Sequence, residues 1–121
     1  MEQLYRLGQD KGLWCKMDWK KISIAGISSI EKCVAEFNIG ELIKTPHSKF
    51  KVKVFERQDG TYIGFTNLQL KDKLGVPYAG VGHGKTVEEA LEDTIKYFLN
   101  MINNKQVLTE EDFECVDPYD F

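Results

Sequence analysis

Residues 49 to 65 carry the pattern that most restricts how this chain can fold. Apolar and lysine side chains alternate strictly at the start of this segment, with Phe50, Val52 and Val54 set between Lys49, Lys51 and Lys53. A period of two places the two sets on opposite faces of a β-strand. Asp59-Gly60 follows, and this dipeptide favours a tight turn because both residues tolerate positive φ. The segment therefore predicts a β-hairpin that returns through Tyr62, Ile63 and Phe65, with one face against the core and a row of lysines on the other.

Residues 86 to 102 predict a helix that covers this sheet. Thr86 and Glu89 have the spacing of a capping box, in which each side chain accepts a hydrogen bond from a free N–H group at the helix start. Apolar side chains then recur at helical spacing, namely Val87, Ala90, Leu91, Ile95, Phe98 and Ile102, with Thr94 on the same face. The carboxylates of Glu88, Glu89, Glu92 and Asp93 fall on the opposite face, so we expect an acidic outer surface.

The glycine-rich stretch from Ala79 to Thr86 fits a loose phosphate-loop pattern. In such a loop, backbone N–H groups surround phosphate oxygens while a lysine neutralises them. The 121-residue chain leaves too few residues after Thr86 for the parallel βαβ units of a nucleotide hydrolase, and Ala79 replaces the first glycine. We therefore expect a strand that ends and a helix that begins here. A small anion or nucleotide site remains an open alternative, formed by Gly82, His83, Gly84, Lys85 and Thr86.

The remaining segments complete the predicted fold. Ser28 and Glu31 have a second capping-box spacing, and the apolar residues after them predict a short helix that ends near Asn38 and Gly40. A weaker pattern at residues 22–25 favours a strand, and residues 78–82 predict a third strand. Residues 68–76 predict a loop, which is either a solvated connection or a candidate contact surface. The expected fold class is α+β, with a three-stranded antiparallel sheet packed by helices in the order α-β-β-β-α.

The predicted domain organisation has three parts. Residues 1–27 form an N-terminal extension packed on the domain, residues 28–105 form the core domain, and residues 106–121 form an acidic aromatic tail without lysine or arginine. Two interpretations of the tail stay open. It docks on a basic partner through its aromatic and acidic residues, or it packs Phe113 and Val116 back on the domain or stays solvated.

The order of strands from Lys49 onward, followed by Gly84-Lys85-Thr86-Val87-Glu88-Glu89-Ala90-Leu91 at the helix start, resembles the HicB-like antitoxin fold. That fold is a β-β-β-α relative of the double-stranded RNA-binding domain. With the predicted helix at residues 28–38 included, the order is also similar to the RNA-binding domain itself and to small α/β sandwich proteins of bacteriophages. The resemblance implies a fold more than a function. Glu88 and Glu89 stand where RNA-binding domains place lysines, so RNA binding by that surface is not implied.

Composition gives little support to catalysis or metal binding. The chain has two histidines and three widely spaced cysteines without a Cys-x-x-Cys pair, so we expect no metal, no cofactor and no enzymatic activity. An odd number of cysteines and the lack of a membrane-length apolar run favour a reduced cytoplasm and no membrane partner.

The leading functional hypothesis is a small protein-binding module that inhibits or neutralises a partner, of the kind that phages and mobile elements encode. The partner would have a basic surface, and the chain itself would be a monomer or small homo-oligomer. The predicted contact residues are Glu88, Glu89, Glu92, Asp93, Glu110, Glu111, Asp112, Phe113, Tyr119 and Phe121. A nucleic-acid module is the main alternative, and it would use Lys49, Lys51 and Lys53 with Trp14 and Trp19.

Overall fold

The computed structural model describes residues 18–105 and 108–121, and Trp14 therefore lies outside the described residues. Within them, an antiparallel sheet packs against one long helix. The elements are β1 (Glu31–Gly40), β2 (Lys49–Arg57), β3 (Tyr62–Lys71), β4 (Pro77–Gly84), α1 (Val87–Asn103) and β5 (Phe113–Cys115). The strands lie in the order β1-β2-β3-β4, and β5 pairs with β3. The α+β class is confirmed, but the sheet has five strands rather than three.

The predicted helix at residues 28–38 is wrong, because this segment forms strand β1. Ala35, Phe37 and Ile39 pair across the strands with the apolar residues of β2. They therefore lie on the same face of the sheet and recur with a period of two. A register shift between Cys33 and Ala35 adds one residue to β1 and interrupts that alternation. The interruption places Ile30, Cys33, Val34 and Phe37 at spacings that imitate a helix. β1 pairs with the edge of β2 and extends its apolar face.

Two further predictions for the sheet are wrong. Residues 22–25 follow a single-turn 3₁₀ helix at Trp19–Lys21 and form no strand. The predicted loop at residues 68–76 is too long, because β3 continues to Lys71 with Leu68 and Leu70 buried, and only residues 72–76 form a turn. The pairing of β3 with β4 shifts register between Phe65 and Gln69. Thr66 spans this irregular stretch, because its hydroxyl donates to the Leu68 carbonyl at 2.7 Å and accepts from the Gly80 N–H at 2.8 Å.

Helix α1 lies on the sheet in the predicted orientation. Ala90, Thr94, Phe98 and Ile102 are buried, and the four predicted acidic residues are exposed. Thr86 caps the helix by accepting from the Glu89 N–H at 3.1 Å. The Glu89 carboxylate accepts the Lys85 N–H at 2.8 Å, whereas the capping-box pattern implies that it accepts the N–H of Thr86.

Alternate glycines in β4 determine how closely the helix approaches the sheet. A Cβ atom at Gly80 would lie 2.6 Å from Phe98 Cβ, and one at Gly84 would lie 2.5 Å from Glu89 Cβ. At Gly82 it would fall on the main chain of Asp93 and Thr94. The glycine-rich stretch that imitates a phosphate loop is therefore the strand surface on which α1 rests.

The segment predicted to be a tail contributes to the sheet and the core. β5 pairs with residues 68–70 of β3, and Phe113 is only 8% exposed in a cluster that includes Phe50, Leu70 and Ile102. Phe113 thus packs back on the domain, as one of the two interpretations of the tail requires. None of the helices in residues 18–105 and 108–121 has the length and hydropathy needed to cross a bilayer.

Candidate functional site: two braced loops and a cleft at one end of the sheet

Two loops lie at the end of the sheet where β2 begins and β3 ends. Because neighbouring strands are antiparallel, the β1–β2 connection (residues 41–48) and the β3–β4 turn (residues 72–76) both lie there. Helix α1 also ends there, since Lys44 Nζ donates to Asn103 Oδ1 at 2.7 Å. We call this region the loop end. The acidic start of α1 lies at the opposite end, next to the last residue of β4.

A carboxylate braces the first loop. Glu41 Oε1 accepts the backbone N–H groups of Lys44 at 2.8 Å and Thr45 at 2.9 Å, and the buried Thr45 hydroxyl donates to the Glu41 carbonyl. Partial burial raises the pKa of the Glu41 carboxyl, but these hydrogen bonds outweigh the burial and hold the pKa below its ordinary value. The ionised form of Glu41 therefore stabilises this loop.

Glu41→Gln should lower the free energy of unfolding at pH 7 by about 1 kcal/mol, because it turns two charge-assisted hydrogen bonds into neutral ones. The pKa of Glu41 is lower in the folded state than its unfolded value of about 4.3. The stabilisation by the ionised carboxylate is therefore complete above the unfolded pKa and disappears as the pH falls through the folded pKa. The unfolding free energies of the wild type and the variant in urea should therefore converge once the pH has fallen below the folded pKa of Glu41. Glu88→Gln, at an exposed position, is the matched control. A stability difference that is constant from neutral to acidic pH would contradict the brace.

A second carboxylate braces the other loop. Asp72 Oδ1 accepts the N–H groups of Leu74 at 2.8 Å and Val76 at 2.9 Å, and the Asp72 N–H donates to the Val76 carbonyl at 2.9 Å. Gly75 supplies the positive φ, +81°, that the turn needs. Both loops are thus held by internal hydrogen bonds.

The braced loops present aliphatic side chains to solvent. Leu42 and Ile43 are each 84% exposed on the first loop, and Leu74 is 87% exposed on the second. Single exposed apolar residues are common on protein surfaces, but several at one end of a domain indicate a contact surface. Leu42 and Ile43 were not predicted as site residues, and Leu74 lies on the loop at residues 68–76, for which a contact surface was one of two interpretations. The available signal was the presence of large aliphatic residues inside turn segments, where polar residues are typical.

A cleft of about 450 Å³ opens beside the first loop. β2 and β5 pair with the same edge of β3, and Asn67 lies at their junction, where its side-chain oxygen accepts the Lys51 N–H at 2.7 Å and its carbonyl accepts the Val116 N–H at 2.8 Å. His47, which lines the cleft, and Ser48 have φ of 60° and 59°. Such conformations cost of order 1 kcal/mol each at residues other than glycine and concentrate at functional sites.

The predicted acidic contact residues of α1 divide into two kinds. Glu89 and Asp93 are occupied within the chain, because they accept the N–H groups of Lys85 and His83, each at 2.8 Å. Glu88 is exposed, and Glu92 forms an exposed pair with Lys96 at 2.9 Å. The acidic face of the helix thus has two carboxylates that already hold the end of β4.

The predicted contact residues of the tail divide in the same way. Glu110, Glu111 and Tyr119 are exposed, and Tyr119 is 97% exposed. Asp112 is occupied by the Thr109 N–H at 2.8 Å and by Lys105 at 3.1 Å, and these two groups lower the pKa of its carboxyl. Phe113 is a core residue that reaches the surface only in the cleft beside the first loop, so it is not part of an exposed contact surface.

Several of the groups predicted to hold an anion at residues 82–86 already have partners. Gly82 lies inside β4 under α1, the N–H groups of His83 and Lys85 bond to helix carboxylates, and the Thr86 hydroxyl caps the helix. An anion would have to displace Asp93 or Glu89. Anion binding here stays a prediction, without an open site that supports it.

The lysine row lies on the sheet face opposite α1, as predicted, but two of its members are engaged. Lys51 pairs with Glu36 at 3.4 Å. Lys53 donates to the Phe121 main-chain oxygen at 2.6 Å and lies 4.8 Å from the centre of the Phe121 ring. Trp19 is half-buried, and its carbonyl accepts from Gln58 at 3.0 Å. These contacts reduce the charge available to phosphates, and nucleic-acid binding stays a prediction.

No group of three histidine, cysteine, aspartate or glutamate residues that could hold a metal ion occurs in the described part of the chain. The chain matches no family model, no curated protein and no solved structure.

Proposed function

We propose that this protein is a non-enzymatic protein-binding module whose main contact surface is the loop end. The observation that carries the proposal is the exposure of Leu42, Ile43 and Leu74 on two loops that carboxylates hold in place. A braced backbone loses little conformational freedom when its exposed aliphatic side chains enter a partner's pocket, and this lowers the entropic cost of binding.

The charges beside the loop end suggest the chemistry of the partner. Glu110 and Glu111 precede β5 at this end and are exposed. Aliphatic anchors inside an acidic rim fit an apolar pocket bordered by basic residues, because a polar rim steers association while the buried anchors supply affinity. Inhibition or neutralisation of that partner, of the kind that phage or antitoxin proteins exert, is the biological role that we propose on this basis.

A capture experiment separates the loop end from the acidic start of α1. The immobilised wild type is compared with a loop-end variant, Leu42→Ser with Ile43→Ser and Leu74→Ser, and with a helix-start variant, Glu88→Gln with Glu92→Gln. All five positions are exposed, so both variants should melt like the wild type. The loop-end variant should bind the captured and purified partner about a hundredfold more weakly, because three lost anchors at about 1 kcal/mol each sum to about 3 kcal/mol.

Three outcomes would count against this contact surface. Equal affinity of the wild type and the loop-end variant for the partner would exclude the loop end as the contact surface. Loss of binding in the helix-start variant alone moves the contact to the acidic face of α1. Capture that disappears after nuclease treatment and weakens steeply with salt supports the nucleic-acid alternative instead.

A further inference from the structure

The cleft beside the first loop has walls of opposite charge. Lys49 and Lys51 line it on the β2 side, and Glu110 and Glu114 line it on the β5 side. Lys51 pairs with Glu36 at 3.4 Å, and Glu114 lies 3.9 Å from Lys71. Among residues 18–105 and 108–121, neither Lys49 nor Glu110 has an ion-pair partner within 4.0 Å. The cleft thus offers one cation and one carboxylate that are not engaged with each other.

Core side chains form the apolar part of the same cleft. Phe50, Leu68 and Phe113 all line it, and they belong to the core that α1 covers from the other side. They reach the cleft because β2 and β5 follow each other along one edge of β3 and leave a gap between them. An apolar lining with a few polar groups that converge on it is the usual composition of a small-molecule site, and about 450 Å³ is within the usual size range.

The shape of this cleft depends on features that a simple strand connection does not need. His47 and Ser48 hold consecutive left-handed conformations at its rim, and the irregular stretch of β3 brings Asn67 to the junction of the strands. Backbone irregularities of both kinds occur preferentially next to binding sites. Two independent distortions of the backbone therefore border the same cavity.

We propose that this cleft binds a small zwitterionic molecule with an apolar side chain, in the size class of a single amino acid. The carboxylate of the ligand pairs with Lys49, its ammonium group pairs with Glu110, and its side chain contacts the apolar lining. Charge complementarity excludes a simple anion as the preferred ligand, because Glu110 and Glu114 would repel it. The assignment shares Glu110 with the acidic rim proposed for the partner contact, but its argument does not require that contact.

The test uses three probes that differ only in charge: L-leucine, isocaproate, which lacks the ammonium group, and isoamylamine, which lacks the carboxylate. Amide NMR titration of the whole chain should show saturable leucine binding with Kd of about 1 mM or tighter, with shifts centred on the cleft residues His47, Asn67 and Cys115. Each single-charge analogue should bind about fivefold more weakly, because it loses one partly exposed ion pair.

Two charge variants check the orientation of the ligand. Lys49→Gln should weaken leucine and isocaproate about fivefold and leave isoamylamine unchanged, and Glu110→Gln should weaken leucine and isoamylamine and leave isocaproate unchanged. Both positions are exposed, so the spectra of the free variants should keep the wild-type dispersion. Lys73→Gln, on the β3–β4 turn, is the control. No saturable shift with leucine at about 20 mM, shifts that map away from the cleft, or equal weakening of all three probes would overturn the proposal.

Discussion

Gly82→Ala should destabilise the protein by about 3 kcal/mol or more, which is a large part of the stability of a domain of this size. The added methyl group would fall on the main chain of Asp93 and Thr94, so neither a rotamer change nor a small side-chain shift can make room for it. The helix would have to lift from β4, and this would separate Phe98 and Thr94 from the core. The backbone of Gly82 is not in the left-handed region, so the effect comes from the methyl group alone.

Gly40→Ala is the matched control, because it also adds one methyl group to a glycine at a strand position. A Cβ atom there meets no atom within 4 Å, and the stability should change by no more than about 0.5 kcal/mol. Urea unfolding with an unchanged m-value measures both variants. A Gly82→Ala protein with the wild-type midpoint would show that α1 does not rest on β4 at the distance described.

The glycine pattern shows how much of this fold the sequence could predict. The end of β4, the cap at Thr86 and the apolar face of α1 follow from local spacing and are confirmed. The role of Gly80, Gly82 and Gly84 does not follow from local spacing, because a glycine run fits both a phosphate-binding turn and a strand under a helix. Their recurrence at every second position was the signal for a strand, since a phosphate loop does not require that period.

The error in β1 has a different cause. One added residue near Val34 shifts the apolar pattern of that strand from one face to the other, so a period of two holds only from Ala35 onward. The first half of the strand is revealed only by its pairing with β2, and that pairing is a tertiary property. The resemblance to HicB-like modules also stays a prediction. The succession β2, β3, β4 and α1 agrees with the implied β-β-β-α order, whereas β1 occupies the place where the RNA-binding-domain order expects a helix.

The placement of both loops at one end of the sheet and the lining of the cleft could not be predicted for a related reason. Leu42 and Leu74 are far apart in the chain, and the lining of the cleft comes from β1, β2, β3, the first loop and the segment from Glu110 to Cys115. Sequence spacing identifies neighbours only within one element. The charges that matter in the cleft, Lys49 and Glu110, were both predicted as site residues, but for two different partners.

Phe113→Ala should destabilise the protein by about 3 kcal/mol, because it removes a buried aromatic side chain and leaves a cavity beside Phe50, Leu70 and Ile102. Tyr119→Ala changes a residue of the same segment that is 97% exposed, and it should alter the stability by no more than about 0.5 kcal/mol. Urea unfolding measures both. Amide exchange of β3 residues 68–70 should accelerate in the Phe113 variant only, since β5 pairs with them.

This pair of variants also decides how binding data on the C-terminal segment are to be interpreted. If Phe113 is a core residue, its loss weakens partner binding only through the fraction of folded protein, and binding per folded molecule stays at the wild-type value. If the segment were a docking tail, Phe113→Ala and Tyr119→Ala would both weaken binding while the stability stayed unchanged. Phe113 and Tyr119 differ in burial but lie on one short segment. The comparison therefore separates the effect of lost core packing from the effect of a lost contact with the partner. A wild-type unfolding midpoint for Phe113→Ala would contradict the core assignment.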